Sequence, residues 1–219
     1  MKYSLEFLID HVTQSIESAD RDQSKLIPEI LGLEGMSGSK TRHLYNNICS
    51  LEGANYLEVG TWKGSSFISS IYNNPIKSIA IDNWSEFDGP KDEFLNNVEK
   101  YCSGSDYSFI EKDSFEINSK DITSRYPSAD IYLYDGCHKY ESHKSAITHF
   151  SQFLSKYSII IVDDWRNDDL WERVQRGTYD GIKDSGLIVH KQFERITKQE
   201  HTGPKEYWNG FGLFICERV

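Results

Sequence analysis

The 219-residue sequence has no CxxC pair, no GxGxxG run, no internal repeat and no cluster of basic residues. It also lacks any stretch near the roughly 20 apolar residues that a membrane-spanning helix needs. Each absence removes a class of function. The cysteines Cys49, Cys102, Cys137 and Cys216 are scattered without metal-like spacing, so they read as reduced structural thiols of a cytosolic protein. The opening MKYSLEFLIDHVTQS takes on charge too early to hold a signal-peptide core, and the chain is therefore expected to be soluble and cytoplasmic, with no membrane partner. The formal net charge is −10, with the Lys and Arg residues spread along the chain. Partners held through many phosphates need clustered cations, so nucleic acid is not an expected substrate. Nothing in the sequence sets the oligomeric state, and a homo-oligomer is compatible with it.

What is present is a chain long enough for one domain with a sizeable core. Leu5, Leu8, Ile9, Val12 and Ile16 recur at helical spacing, which predicts an amphipathic opening helix acting as a flap on the core. A glycine-rich break from Gly32 to Lys40 follows, then a short helix carrying Leu44, Ile48 and Leu51. Residues 1–54 thus form an N-terminal helical segment. From Asn55 to the end, 55–219, short apolar runs alternate with helical stretches, the pattern of βαβ units around a parallel sheet. The predicted strands are NYLEV, KSIAID, YSFIE, DIYLYD and SIIIVD, with helices starting near Ser65, Lys91, Ser114, Ser142 and Asp168. GLIVHKQF and GFGLFICERV close the chain as a predicted antiparallel pair. The fold class that follows is a Rossmann-like, doubly wound, mostly parallel seven-stranded α/β sheet with an antiparallel last strand.

Such a sheet binds ligands at the carboxyl ends of its strands, near the switch in strand order. Five consecutive strands end in or beside an acidic residue: Glu58, Asp82, Asp113, Asp135, and the pair Asp163 and Asp164. EVGTWKGSS, Glu58 to Ser66, follows the first strand, and Gly60 and Gly64 permit a tight turn and a close approach by ligand. Glu58 is a poor neighbour for a pyrophosphate and suits a ligand bearing an amino group and a sulfonium. Asp82 ends the second strand about 20 residues beyond the glycines, where a carboxylate can accept from ribose hydroxyls. Asp113 and Ser114 are placed to meet an adenine edge, although an Asp-Ser pair is also a common helix cap.

Asp135 ends the fourth strand and Asp163 and Asp164 the fifth, so three carboxylates are expected to converge. A hard divalent cation, Mg²⁺ first, is the simplest neutralising partner. The competing reading is that Asp163 and Asp164 begin a loop and cap a helix. His138 lies three residues past Asp135, where an imidazole can take a proton from a hydroxyl or orient Asp135. Trp84, Trp165, Trp171 and Trp208 are divided between pocket walls and core.

In this order EVGTWKGSS, IAIDNW, EKDSF, LYDGCHKYES and VDDW resemble the successive motifs of class I S-adenosylmethionine-dependent methyltransferases. DGCHKYES and VDDW are most similar to those of the metal-dependent, macrocin-type O-methyltransferases acting on sugars of antibiotics. The resemblance implies an enzyme that transfers a methyl group from S-adenosylmethionine to a hydroxyl of a small-molecule acceptor. It implies that Glu58, Gly60, Thr61, Gly64, Ser65, Asp82, Asn83, Asp113, Ser114 and Asp135 contact the cofactor. It further implies that Asp135, Asp163 and Asp164 hold Mg²⁺ or another divalent cation, while the position of His138 beside Asp135 makes these two the catalytic candidates. EGMSGSKTRHLYN resembles the segment that closes over the cofactor in those enzymes, which adds Met36 and Ser37. The chain departs from them at Cys137, where many relatives have an acidic residue, and in lacking a Gly pair before the fifth strand. A hydroxylase-like protein of the same fold and a non-catalytic nucleoside binder stay open as alternatives.

Overall fold

The computed structural model describes residues 2–166, 171–196 and 206–219. Its centre is a seven-stranded sheet built from β1 (Asn55–Val59), β2 (Lys77–Asp82), β3 (Asp106–Glu111), β4 (Ala129–Tyr134), β5 (Leu154–Asp163), β6 (Ile188–Arg195) and β7 (Phe211–Glu217). The spatial order is β3-β2-β1-β4-β5-β7-β6. β1 to β5 pair in parallel, and β7 runs antiparallel to both β5 and β6. All seven predicted strands are present. β4 and most of β5 are buried along their length, as befits central strands covered on both faces.

Helices fill the connections: α1 (Leu5–Asp20), α2 (Pro28–Leu31), α3 (Ser39–Ile48), α4 (Ser65–Ile71), α5 (Lys91–Cys102), α6 (Ser119–Thr123), α7 (Tyr140–Phe150) and α8 (Arg176–Asp184). The expected helix at Ser114 is shorter than its sequence pattern suggested. Ser114–Glu116 is a 3₁₀ turn, and Asn118 restarts the chain as α6 through a capping box with Asp121. The start expected near Asp168 lies outside the described residues, and the described part opens with a π-turn, Trp171–Gln175, before α8.

α1 is less a flap than a wall of the core. Leu8, Val12 and Ile16 are buried in one cluster with Leu44 and Ile48 of α3 and with Ile159, Leu213 and Ile215 of the sheet. Each such side chain is worth roughly 1.5–3 kcal/mol once buried, against about 1 kcal/mol for a helix cap such as Ser4, whose hydroxyl accepts from the Phe7 N–H. Packing therefore holds this helix. Its C-terminal end reaches across the molecule, where Asp20 accepts from the Tyr207 hydroxyl at 2.9 Å and from Arg195 at 2.8 Å.

Candidate active site

After β3 the chain returns to place β4 beside β1, so the direction of winding reverses between these two strands. A crevice opens at their carboxyl ends. Gly60 occupies this point with φ +87°, and a Cβ there would collide with the Asp135 carbonyl oxygen and come within 3.1 Å of the Gly136 nitrogen. Only glycine both adopts that backbone geometry and lets the two strand ends close up.

The turn beyond Gly60 is tied down by Asp82. Its Oδ2 accepts the N–H groups of Thr61 at 2.8 Å and Trp62 at 2.9 Å, and its Oδ1 accepts that of Trp84 at 2.7 Å. The carboxylate thereby clamps the ends of β1 and β2 together, with one acceptor direction on Oδ1 left for a ligand. Asp113 caps the 3₁₀ turn through the Phe115 N–H at 2.9 Å, so the cap reading holds while the residue also faces the crevice.

The crevice is a cavity of about 610 Å³, within the usual range for small-molecule sites. Of the expected site residues, Met36, Gly60, Asp82, Asn83, Asp113, Ser114, Asp135, His138, Asp163 and Asp164 all line it. Ser37, Glu58, Thr61, Gly64 and Ser65 do not. Strand alternation turns Glu58 to the same face as Tyr56, where the Tyr56 hydroxyl and the Ser66 hydroxyl of α4 both donate to its fully buried carboxyl. Burial pushes the Glu58 pKa up to about 8, only partly offset by these hydrogen bonds. Ser37 accepts from Arg42 at 3.0 Å, and Arg42 also donates to the carbonyls of Ile30, Leu31 and Leu33. The loop so pinned lays Gly35 on Ser65, which covers that residue, and presents Met36 to the cavity.

Aromatic rings missed at the sequence level complete the wall: Trp62, Phe87, Phe115 and Tyr134, beside Trp84 and Trp208. Trp165 is core instead, fully buried with its Nε1 donating to Glu194 at 2.9 Å. Trp171's side chain lies outside the described features. Trp62, Trp84, Phe87, Asp164 and Asn209, all on the wall, have positive φ between 44° and 58°. Strained backbone that gathers at one cavity is a mark of a functional site. No sequence rule flags it, since aromatic residues seldom take that conformation.

Opposite the turn stand the acidic residues. One ligand atom each from Asp135, His138 and Asp164 lie within 4.8 Å of one another. His138 Nε2 is 2.7 Å from Asp164 Oδ2, and Asn209 Nδ2 is 2.5 Å from Asp164 Oδ1. Asp163 was expected in this trio; it lines the cavity, but its Oδ1 takes the Tyr45 hydroxyl at 3.4 Å and it stays outside the close group. Burial, with Asp164 nearby, pushes Asp135 up to about 7. Burial, with Asp135 and Asp164 nearby, likewise raises Asp163. Burial also opposes ionisation of Asp164, but the hydrogen bond and charge of His138 and the Asn209 amide outweigh it and hold Asp164 below the usual carboxylate range. The same hydrogen bond raises His138 to about 9, so the imidazole carries the positive charge at this point. His143 lies behind it on α7, buried against Tyr134 and held down to about 3 by burial, in a packing role. His149 Nε2 donates to the Ile117 carbonyl at 2.8 Å and stays out of the cavity.

Residues 57–165, from β1 to the end of β5, match the family model of a methyltransferase domain. TrmN from Thermus thermophilus is similar in structure, with a TM-score of 0.56 at 12% identity over 87% of this chain and 52% of TrmN. A protein from Klebsiella pneumoniae, provisionally described as an O-methyltransferase, gives 0.55 at 14% identity over 94% of this chain and 89% of that one. SMU.776, provisionally described as a methyltransferase and solved in complex with SAH, gives 0.56 at 11% identity over 82% and 48%. The chain spans about half the length of TrmN and of SMU.776. No curated protein sequence matches it. Among the described residues no helix is long and apolar enough to cross a membrane. The methyltransferase signature thus runs from β1 through β5, and a ligand-sized cavity lies at the switch point of the same sheet.

Proposed function

We propose that the protein is an S-adenosylmethionine-dependent methyltransferase that methylates a hydroxyl of a small molecule with the help of a divalent cation, Mg²⁺ first. The observation that carries this reading is the meeting, in one cavity, of the Gly60–Asp82 turn with the group Asp135, His138 and Asp164. Asp82, with Asn83, Asp113 and Ser114, would hold the ribose and adenine of the cofactor, and Met36 would cover it. Half-buried Asp135 and buried Asp164, with buried Asp163 behind them, are oxygen donors whose mutual repulsion calls for positive charge, which fits a cation site. A bound cation supplies Lewis acidity that lowers the pKa of a coordinated hydroxyl.

The rest falls to the protein's own groups. The cavity aligns the attacking oxygen behind the methyl carbon, so proximity supplies much of the rate. A cation held by the carboxylates would disfavour the imidazolium, and His138 in its neutral form then takes the hydroxyl proton. The wall carries Asp82, Glu86, Asp113, Asp135, Asp163 and Asp164 against Lys112, which is paired with Asp121. That balance favours a neutral or cationic acceptor and disfavours nucleic acid. The macrocin-type resemblance points to a sugar or secondary-metabolite hydroxyl, and residues 1–54 are proposed to act with 55–219 as one unit.

Calorimetry with S-adenosylmethionine and SAH, followed by turnover with Mg²⁺ and with EDTA, tests the reading. Binding of both nucleosides and cation-stimulated methyl transfer that disappears in Asp164→Ala, with nucleoside affinity retained, is the expected result. Full activity in EDTA overturns the cation while leaving methyl transfer standing.

A further inference from the structure

The C-terminal segment Trp208–Gly212, which leads into β7, is docked on the loop that carries Asp164. Gly210 has φ +79°, and a Cβ there would collide with the Arg195 carbonyl and meet the Trp165 carbonyl oxygen at 2.8 Å. A Cβ on Gly212 would lie 2.6 Å from the Trp165 ring. Two glycines are thus needed for close approach of the start of β7 to the end of β5. The approach delivers one side chain to the cavity's acidic wall, Asn209, with φ +58° facing Asp164 at φ +56°.

A carboxylate only accepts hydrogen bonds, so the amide nitrogen is the Asn209 atom that must face it. His138 Nε2 serves one oxygen of Asp164 and Asn209 Nδ2 the other, at 2.7 and 2.5 Å. The carboxylate, 7% exposed at its side chain, is therefore fixed in rotation about its own axis. Resting on the cation reading above, we infer that Asn209 is a positioning residue that holds Asp164 in the orientation in which it ligates the divalent ion. An amide does this without adding charge, and it leaves the second lone pair of each Asp164 oxygen free for the ion. Outer partners of ligating groups are commonly worth 10- to 100-fold in metal affinity.

Mn²⁺ provides the probe, because free and bound ion are distinguished by electron paramagnetic resonance without any turnover. Asn209→Gly keeps a residue at ease with positive φ and removes only the amide. The expected result is Mn²⁺ affinity weaker by about tenfold or more, SAH affinity unchanged, and no additional loss when Asn209→Gly is combined with Asp164→Asn. A glycine variant that binds Mn²⁺ as tightly as the wild type overturns the inference alone. Wild type that binds SAH but no Mn²⁺ overturns the cation reading and this inference with it. If the glycine variant fails to bind SAH and so fails to fold, Asn209→Asp takes its place: it keeps the turn and sets a like charge against Asp164. With the donor lost, Mn²⁺ should then raise the melting temperature of Asn209→Asp by less than that of wild type, and an equal or larger rise overturns the inference.

Discussion

The half-exposed imidazole of His138 and the buried carboxylate of Asp164 meet at 2.7 Å, although one sits on the loop after β4 and the other on the loop after β5. His138 is thereby placed on the cavity wall with its charge balanced from behind. His138→Ala should lower kcat by about 10² or more, while SAH affinity, proposed to rest on residues after β1, β2 and β3, should stay close to that of wild type. A small loss of kcat would assign deprotonation of the acceptor to another group.

Asp82 accepts three backbone N–H groups from two loops. Asp82→Ala leaves those donors without their acceptor, each at a cost of about 1–3 kcal/mol where water cannot replace it. The variant should show a lower melting temperature together with loss of SAH binding, measured by thermal denaturation and calorimetry. Unchanged binding would exclude Asp82 from the cofactor site.

Gly60 and Gly53 both have positive φ, but only Gly60 is crowded; around Gly53 nothing lies within 4 Å of a built Cβ. Gly53→Ala should cost roughly 1–2 kcal/mol of left-handed strain and leave SAH binding intact. Gly60→Ala adds a collision with Asp135 backbone, so it should destabilise more and abolish binding. Equal effects in the two variants would show that strand approach is not the constraint.

Glu58, raised to about 8 from an ordinary 4.5 by burial, makes folding pH-dependent in a defined direction. Between those values the folded chain holds a proton that the unfolded chain has released, so its contribution is full below about 4.5 and is lost as pH rises through about 8. Glu58→Gln should flatten the fall in stability across that window. The charges bearing on Glu58 are Asp135 and Asp82, with the Tyr56 and Ser66 hydroxyls as its hydrogen-bond partners. Denaturant melts at a series of pH values, with parallel profiles for variant and wild type, would refute the assignment.

The strands were legible because their signal is local: aliphatic runs bounded by turn residues name β1, β2 and β5 directly, and a glycine after a strand names the turn at Gly60. The acidic residues at the strand ends were legible for the same reason, because a strand's carboxyl end is where an α/β sheet binds its ligand. Other features depended on direction and distance. Whether Glu58 faced the cavity or the core turned on the face its strand presented to α4, and Ser66 and Tyr56 settled it inward. Asp163 and Asp164 are neighbours in sequence, yet the positive φ of Asp164 sends it to His138 while Asp163 turns to Tyr45. Asn209 reaches Asp164 across 45 positions through two glycine-lined contacts, and the aromatic wall arises from left-handed backbone at Trp62, Trp84 and Phe87. Sequence alone determined the elements, their order and the acidic strand ends, since each depends on neighbouring residues. Only the tertiary structure decided which of those acidic groups share a cavity, because that depends on how separate strands and loops pack together.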